Sequence, residues 1–335
     1  MRSLLLAGLI YLFVTPTVAW ILVWREGADR SLLNVSYDPT RELWADINQN
    51  FRKLWENETG QRIAIRQSHG SSGGQARAVL DGLEADVVSL ALWSDTDQLR
   101  QANLLPDGWD KPPRQVFPYY STIVFVVRRG NPKGIRDWHD LLAPGVTVIA
   151  PNPKTSGNGR LAVWAAWGAI RKHGGTEADA EEFIAELFRR IPVLDTSARA
   201  SAMTFAHKKI GDVHLTWENE AHLEVSESAG DLEIVYPTWS IRAEPPVTVV
   251  DAVVDRRGTR ELAERYVQFL WTPRGQEIIA RHFFRPIRDE FRDRRVLPDI
   301  RLFEISWVAR DWDEAQHRFF TEGGIFDRVY SRKVK

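Results

Sequence analysis

The sequence has 335 residues, which is enough for two domains at roughly 100–200 residues per domain. Hydrophobic residues make up 44% and charged residues 27%, a composition that argues against a disordered chain. The 44 Lys and Arg residues are balanced by 45 Asp and Glu residues, so the formal charge of -1 excludes a net basic field that would hold nucleic acid. The absence of Cys excludes disulfides, thiolate catalysis and iron–sulfur clusters.

An apolar segment near the N-terminus predicts export. Arg2 precedes an uncharged run over residues 4–24, and the charged residues Arg25 and Glu26 follow it. Residues 1–28 are therefore interpreted as either a cleaved signal peptide or an uncleaved membrane anchor, since the run reaches the ~20 residues that span a bilayer. Both alternatives place the remainder outside the cytoplasm, in the periplasm, because no second apolar stretch of that length follows.

From Arg30 onward, short strand patterns alternate with amphipathic helix patterns. The first predicted strand covers residues 32–36, and Asp38 is expected to cap the next helix, with Pro39 at its first position. Further strands are predicted at 63–66, 87–92, 122–127, 146–150, 213–217 and 247–254, and helices around 76–83, 161–167, 181–188, 198–208, 262–270 and 277–284. This alternation predicts an α/β fold in which sheets are flanked by helices.

Two α/β lobes with no flexible linker between them must be joined by strands that cross from one to the other. We place the crossings near Ser121 and Pro246, so that residues 32–121 and 246–335 form lobe 1 and residues 122–245 form lobe 2. The C-terminal stretch after Pro298 is expected to pack back on lobe 1. Two lobes joined in this way can bend around a ligand held between them.

Three loops have the sequence pattern of anion sites: a strand, a loop rich in Ser, Thr or Gly, and the start of a helix. They cover residues 68–75, 154–158 and 194–199. Such a loop presents unpaired backbone N–H groups and the positive end of a helix dipole at the carboxyl end of a strand. Each loop taken singly is more simply a capped helix start, but three in one chain favour an anion site.

Trp217 ends another predicted strand, so its indole either packs in the core or offers an N–H donor to a cleft.

An enzyme is the second hypothesis. Residues 70–74 fit the pattern G-x-S-x-G, which puts Ser72 at the nucleophile position of a serine hydrolase. The candidate bases stand in no recognisable catalytic context; they are His207, His214, His222, His282 and His317. The sequence contains no H-E-x-x-H motif and no Gly-Lys-Ser or Gly-Lys-Thr phosphate loop, so neither a metal nor a cofactor is predicted.

Four segments resemble the sulfate- and thiosulfate-binding proteins of bacterial ABC importers: residues 32–43, 68–70, 150–157 and 217–220. The resemblance runs from about Leu32 to the C-terminus. It implies a two-lobed type II periplasmic binding protein fold with the ligand in the cleft, a monomer without enzyme activity, and the membrane permease of an ABC importer as partner. The sequence does not separate sulfate from thiosulfate, and another tetrahedral oxyanion such as molybdate or phosphate remains an alternative.

The resemblance further implies that the anion is held by neutral donors only. The resemblance assigns the hydroxyl donor to Ser156 and the indole donor to Trp217. It assigns the backbone N–H donors to Ser72, Gly157, Asn158 and Ala198. Asn158 stands where some members have Gly, but the change keeps the backbone donor. Arg199, Asp38 and Arg41 are expected to order the surroundings. A site of donors alone disfavours monohydrogen phosphate, whose proton would find no acceptor.

Overall fold

The computed structural model describes residues 30–331. Its strands are β1 Arg30–Tyr37, β2 Ile63–Gly70, β3 Val87–Ser89, β4 Tyr119–Tyr120, β5 Ile123–Arg128, β6 Val148–Pro151, β7 Leu194–Asp195, β8 Val213–Trp217, β9 Leu232–Val235, β10 Trp239–Ile241, β11 Val247–Val249, β12 Arg285–Pro286 and β13 Arg301–Phe303. Its α-helices are α1 Arg41–Thr59, α2 Ser72–Leu80, α3 Trp93–Gln101, α4 Gly157–Lys172, α5 Glu177–Arg189, α6 Ala198–Ala202, α7 Glu218–Glu227, α8 Asp251–Arg257, α9 Arg260–Phe269, α10 Pro273–Arg281, α11 Trp312–Phe320 and α12 Ile325–Ser331. The targeting segment predicted for residues 1–28 lies outside the described residues.

The first lobe is built on a four-stranded sheet with the order β11-β3-β1-β2. Strand β1 runs parallel to β2 and β3, and Ser36 lies opposite both His69 and Ser89. The carboxyl ends of β1 and β2 therefore meet at one edge, where Tyr37 lies opposite Gly70. The loops that leave this edge lead into α1 and α2, so two helix starts lie side by side.

The second lobe is built on a five-stranded sheet with the order β7-β6-β8-β5-β9. Strand β6 runs parallel to β7 and β8, whereas β5 runs antiparallel to β8 and β9. The carboxyl ends of β6, β7 and β8 lead into α4, α6 and α7. Three further helix starts are thus gathered at one edge of the second sheet.

Two antiparallel chain segments pass between the sheets. Ser121 and Ala243 form an isolated bridge, in which each backbone N–H donates to the other residue's carbonyl oxygen at 2.9 and 3.0 Å. Close by, the N–H of Val247 donates to the carbonyl oxygen of Val116 at 2.7 Å. The prediction of an α/β fold with sheets flanked by helices is confirmed, whereas the crossings near Ser121 and Pro246 stay a prediction.

The C-terminal segment, residues 301–331, packs on the second lobe, so the expectation that it returns to lobe 1 is wrong. Its Phe319 and Phe320 share one hydrophobic core with Trp164 and Trp167 of α4, at ring-centroid distances of 4.9 Å for Trp167–Phe319 and 5.2 Å for Trp164–Phe320. Strand β13 also pairs with β10. The physical reason is that α4 is buried on every side, over residues 157–170, and needs a second covering layer beyond its own sheet.

Three local predictions differ from the structure. The strand predicted over 87–92 ends at Ser89. Asp38 does not cap a helix: it begins a short 3-10 helix, Asp38–Thr40, that precedes α1. The strand predicted over 247–254 ends at Val249, and α8 begins at Asp251. The Val-rich sequence favours a strand locally, but an acidic first turn, a basic last turn and Gly258 in the left-handed region at φ 65° give residues 251–257 the signals of a helix.

Candidate functional site

The edges of the two sheets face one another across a small cleft. All six residues assigned as donors from the sequence line it: Ser72, Ser156, Gly157, Asn158, Ala198 and Trp217. The remaining lining residues are Tyr37, Asp38, Pro39, Gly70, Ser71, Ala91 and Ser197. The structure therefore brings together segments that lie up to 180 positions apart in the sequence.

Helix starts supply most of the polar surface of the cleft. Ser72, Gly157 and Ala198 are the first residues of α2, α4 and α6, and Asn158 is the second residue of α4. The N–H groups of the first turn have no acceptor within their own helix. They also carry the positive end of the helix dipole, so three helix starts at one cleft favour a bound negative charge.

Ser156 is the N-cap of α4, and its hydroxyl has a proton left to donate. Its Oγ accepts the N–H of Gly159 at 3.4 Å, which uses a lone pair but not the hydroxyl proton. The residue is only 3% exposed and lines the cleft. A cleft ligand with an oxygen acceptor would pair with this hydroxyl.

The indole of Trp217 is a buried donor without an acceptor. Within residues 30–331, its Nε1 has no hydrogen-bond partner, although the side chain is completely buried. Its ring packs against Tyr37 at a centroid distance of 5.5 Å. A buried N–H without a partner costs about 1–3 kcal/mol. The indoles of Trp44, Trp55 and Trp164 also have no partner within residues 30–331, but of these four only Trp217 lines the cleft.

The hydroxyl of Ser72 is committed elsewhere, which leaves its backbone N–H as the donor predicted from the sequence. Its Oγ donates to Asp95 Oδ2 at 2.5 Å and accepts the N–H of Ala91 at 3.0 Å. The ring nitrogens of the neighbouring His69 are engaged with Ser36 and Gln67, at 2.7 Å each. The hydrolase hypothesis needs a His bonded to the Ser72 hydroxyl, and a carboxylate occupies that position instead.

A buried ion pair spans the cleft beneath the helix starts. Arg160 of α4 donates from Nη1 to Asp95 Oδ1 of α3 at 2.7 Å, and the two side chains are 6% and 1% exposed. The guanidinium neutralises a carboxylate that contacts Ser72 and would otherwise repel an anion. Sequence reasoning missed this pair, because nothing in a local pattern indicates which helices of two lobes will meet.

The two lobes are in direct contact around the cleft. A Cβ atom added to Gly157 would lie 2.7 Å from the Cβ of Ala91 and 3.4 Å from that of Ser72, both in the first lobe. Asn219 Nδ2 donates to the carbonyl oxygen of Pro39 at 3.0 Å, and Arg199 donates to Glu42 at 3.1 Å. The structure is therefore closed, with no space for a bulky side chain at Gly157.

The surroundings of the donors differ in part from the expectations. Arg199 pairs with Glu42 and Glu220 and does not line the cleft. Tyr37 and Asp38 do line it, at the carboxyl end of β1, and burial raises the pKa of the Tyr37 phenol well above its usual value. Asn158 turns its amide to β8, where Nδ2 donates to the carbonyl oxygen of Leu215 at 3.2 Å. This bond shows how Asn is accommodated where some members of the resembled family have Gly.

Neither a metal site nor a membrane span is found in the described part of the chain. Over residues 30–331, no three His, Asp or Glu side chains come together as metal ligands. None of the helices in the same range combines the length and the apolar character that a membrane span needs.

The sequence profile of the bacterial extracellular solute-binding proteins matches residues 36–285. The chain belongs to this family. One relative of this solute-binding protein is the sulfate-binding protein of Escherichia coli (strain K12), 47% identical over 309 residues that cover 91% of this chain and 94% of the relative. Another is the thiosulfate-binding protein of Pseudomonas aeruginosa, 46% identical over 311 residues that cover 91% and 93%. The resemblance seen in the motifs is confirmed by these relatives.

The structural neighbours have the same two-lobed fold. The sulfate-binding protein SubI from Mycobacterium tuberculosis H37Rv superposes with a TM-score of 0.79 at 27% identity, over 87% of this solute-binding protein and all of SubI. The periplasmic binding protein AfuA from Actinobacillus pleuropneumoniae superposes with a TM-score of 0.64 at 17% identity, over 92% of this chain and 98% of AfuA. The predicted fold class, that of a type II periplasmic binding protein, is thus confirmed.

Proposed function

We propose that this solute-binding protein captures sulfate or thiosulfate in the closed cleft. The observation that carries the proposal is the gathering of three helix starts, the Ser156 hydroxyl and the unpartnered Trp217 indole around one small cleft. The names of the relatives, sulfate-binding and thiosulfate-binding protein, support the same ligand class.

The proposed ligand contacts are donors only. The backbone N–H groups of Ser72, Gly157, Asn158 and Ala198 surround the anion, and Ser156 Oγ and Trp217 Nε1 complete the set. A dianion removed from water needs its oxygens hydrogen-bonded, and several helix dipoles spread the opposing charge without a cationic side chain at the ligand. Monohydrogen phosphate would place its O–H against another donor, so it binds more weakly.

The protein works outside the cytoplasm, as a monomer that passes its anion to the permease of an ABC importer. Residues 1–28 serve as its signal peptide or membrane anchor, which mass spectrometry of the mature protein distinguishes. The moving units are residues 32–121 with 246–300, and residues 122–245 with the C-terminal segment. They bend about the two strands that meet at Ser121 and Ala243.

Isothermal titration of residues 30–335 tests the ligand. We expect tight binding of sulfate or thiosulfate, and much weaker binding of phosphate and molybdate. Tight binding of another solute with no heat from sulfate or thiosulfate would overturn the proposal.

We propose binding without catalysis, since the Ser72 hydroxyl donates to Asp95. Incubation with a fluorophosphonate probe and with aryl esters should give neither covalent labelling nor hydrolysis. Labelling that Ser72→Ala abolishes would restore the hydrolase hypothesis.

A further inference from the structure

Three buried polar side chains form a hydrogen-bonded chain behind the cleft. Ser201 Oγ lies 2.9 Å from His214 Nε2, and His214 Nδ1 lies 3.0 Å from Glu224 Oε2. Ser201 and His214 are completely buried, and Glu224 is 5% exposed. They stand on α6, β8 and α7, and none of them lines the cleft.

The protons of this chain can be assigned from its geometry. Ser201 Oγ donates to the carbonyl oxygen of Ala198 at 2.9 Å, which uses its single proton. It must then accept from His214, so Nε2 carries a hydrogen. One further proton lies between His214 Nδ1 and Glu224. Each of the three residues thereby has a hydrogen-bond partner in the chain, and Glu224 Oε1 is the one side-chain oxygen of the three residues left without a hydrogen-bond partner in the described structure.

The chain connects the elements that carry two of the proposed donors. Ser201 lies one turn after Ala198 and bonds to its carbonyl oxygen, while His214 lies three residues before Trp217 on β8. Glu224 belongs to the helix that begins directly after Trp217. Helix α6 has only five residues before it continues as a π-helical turn over Met203–His207. Few bonds of its own hold so short a helix in place.

The sequence of Ser, His and acid resembles a hydrolase triad, but the surroundings exclude that role. Ser201 has no exposed surface, and its proton is donated to a carbonyl oxygen of its own helix. A nucleophile would need access to substrate and a proton directed at the imidazole.

We propose that Ser201, His214 and Glu224 are positioning residues that fix the Ala198 N–H and the Trp217 indole at the separation the anion requires. The proposal rests on the proposed function, since it concerns the same site. The chain ties the short helix α6 to β8 and α7, so that two donors on different elements behave as one rigid unit. A donor that is already in place loses less freedom when the anion binds.

The test compares sulfate binding by Ser201→Ala, His214→Leu, the double variant and Thr204→Val. Thr204 is the matched control: it lies in the π-helical turn that continues α6, is 1% exposed, and its hydroxyl has no partner within residues 30–331. We expect each single variant to bind roughly three- to tenfold more weakly, the scale of one lost hydrogen bond. The double variant should be no weaker than the weaker single variant, because both remove one unit. Thr204→Val should match the wild type.

A second measurement follows the Ala198 amide in the ligand-free protein by hydrogen exchange. Faster exchange in Ser201→Ala and His214→Leu, together with weaker binding, supports the positioning role. Sulfate affinity within twofold of the wild type in folded Ser201→Ala overturns it, whether or not exchange changes. If the wild type binds neither sulfate nor thiosulfate, the proposed function fails. The positioning role of Ser201, His214 and Glu224 is then judged by hydrogen exchange of the Ala198 amide alone, and equal exchange rates in all variants overturn it.

Discussion

The hydroxyl of Ser156 has two roles that one atom can combine. It accepts the N–H of Gly159 and so caps α4, and in the proposed site its proton is donated to the ligand. Replacing Ser156 by Ala removes a hydrogen bond to a charged ligand, for which about 1.5–3 kcal/mol, or roughly one to two decades of affinity, is expected. Titration with sulfate measures the loss. Ser226→Ala is the control, because that exposed hydroxyl donates to the Leu223 carbonyl oxygen far from the cleft. Equal affinity in both variants would remove Ser156 from the site.

Trp217 and Trp164 form a matched pair, since both indoles are completely buried and neither Nε1 has a partner in the described chain. Only Trp217 lines the cleft. Trp217→Phe and Trp164→Phe should both lower the free energy of unfolding of the ligand-free protein, because each loses buried ring volume. Only Trp217→Phe should also weaken sulfate binding, by roughly tenfold or more. Comparable binding losses in the two variants would mean that ring volume, not the indole donor, matters.

Glu220 makes stability depend on pH. Burial raises its pKa to about 8, and Arg199 at 3.6 Å only partly opposes this. The folded protein then keeps a proton that the unfolded chain releases near its ordinary value of 4.5. The contribution of Glu220 to the free energy of unfolding is therefore fully present below pH 4.5 and is lost as the pH rises toward 8.

Glu220→Gln should therefore match the wild type near pH 5 and be more stable near pH 8, by about 1 kcal/mol or more. Urea unfolding at both pH values measures the difference, and the exposed Glu227→Gln is the control. An advantage that is the same at both pH values would contradict the raised pKa.

At the scale of elements, the cleft depends on how closely α4 approaches the first lobe. The missing Cβ of Gly157 leaves room for Ala91, which would otherwise be 2.7 Å away. Gly157→Ala should hinder closure and weaken sulfate binding by more than a decade, while the ligand-free protein stays folded. In small-angle scattering with sulfate present, Gly157→Ala should have a larger radius of gyration than the wild type.

Moving the methyl group from position 91 to position 157 provides the control for this clash. The double variant Gly157→Ala with Ala91→Gly removes the nearest atom and should recover most of the affinity and the compact form. If the double variant binds no better than Gly157→Ala, steric contact with Ala91 is not what Gly157 relieves.

The elements show what local sequence can predict. The loops before α2, α4 and α6 were predictable, because Ser and Gly after a strand signal a helix start. The end of β11 was not, because Val250, Val253 and Val254 favour a strand by propensity and their helical form is set by packing in the first lobe. Asp38 was predicted to cap the helix after β1. In the structure β1 continues to Tyr37, and Asp38 is the first residue of the 3-10 helix that separates β1 from α1.

At the scale of the molecule, the alternation of strands and helices in the sequence was enough to predict the two-lobed fold. It was not enough to predict which residues make contacts between the lobes. The pairs Asp95–Arg160 and Glu218–Arg285 are buried and join residues 65 and 67 positions apart. No local pattern distinguishes these charges from the many at the surface. The C-terminal segment was misplaced likewise, because aromatic residues predict burial but not the lobe that buries them.

The formal charge of -1 fits this architecture. The proposed ligand is a single small dianion that backbone dipoles hold, so no basic surface is needed. The charges at and near the cleft are paired, since Asp38 pairs with Arg41 and Asp95 with Arg160. Selectivity would then come from the count of donors and from the size of the closed space.

A crystal structure with selenate, a tetrahedral dianion like sulfate that scatters anomalously, tests the central claim most directly. The anomalous peak should lie in the closed cleft. Its oxygens should be within hydrogen-bond distance of Ser156 Oγ, Trp217 Nε1 and the N–H groups of Ser72, Gly157, Asn158 and Ala198. A peak outside the cleft, or one held by the side chains of Arg160 or Arg199, would contradict a site made of neutral donors.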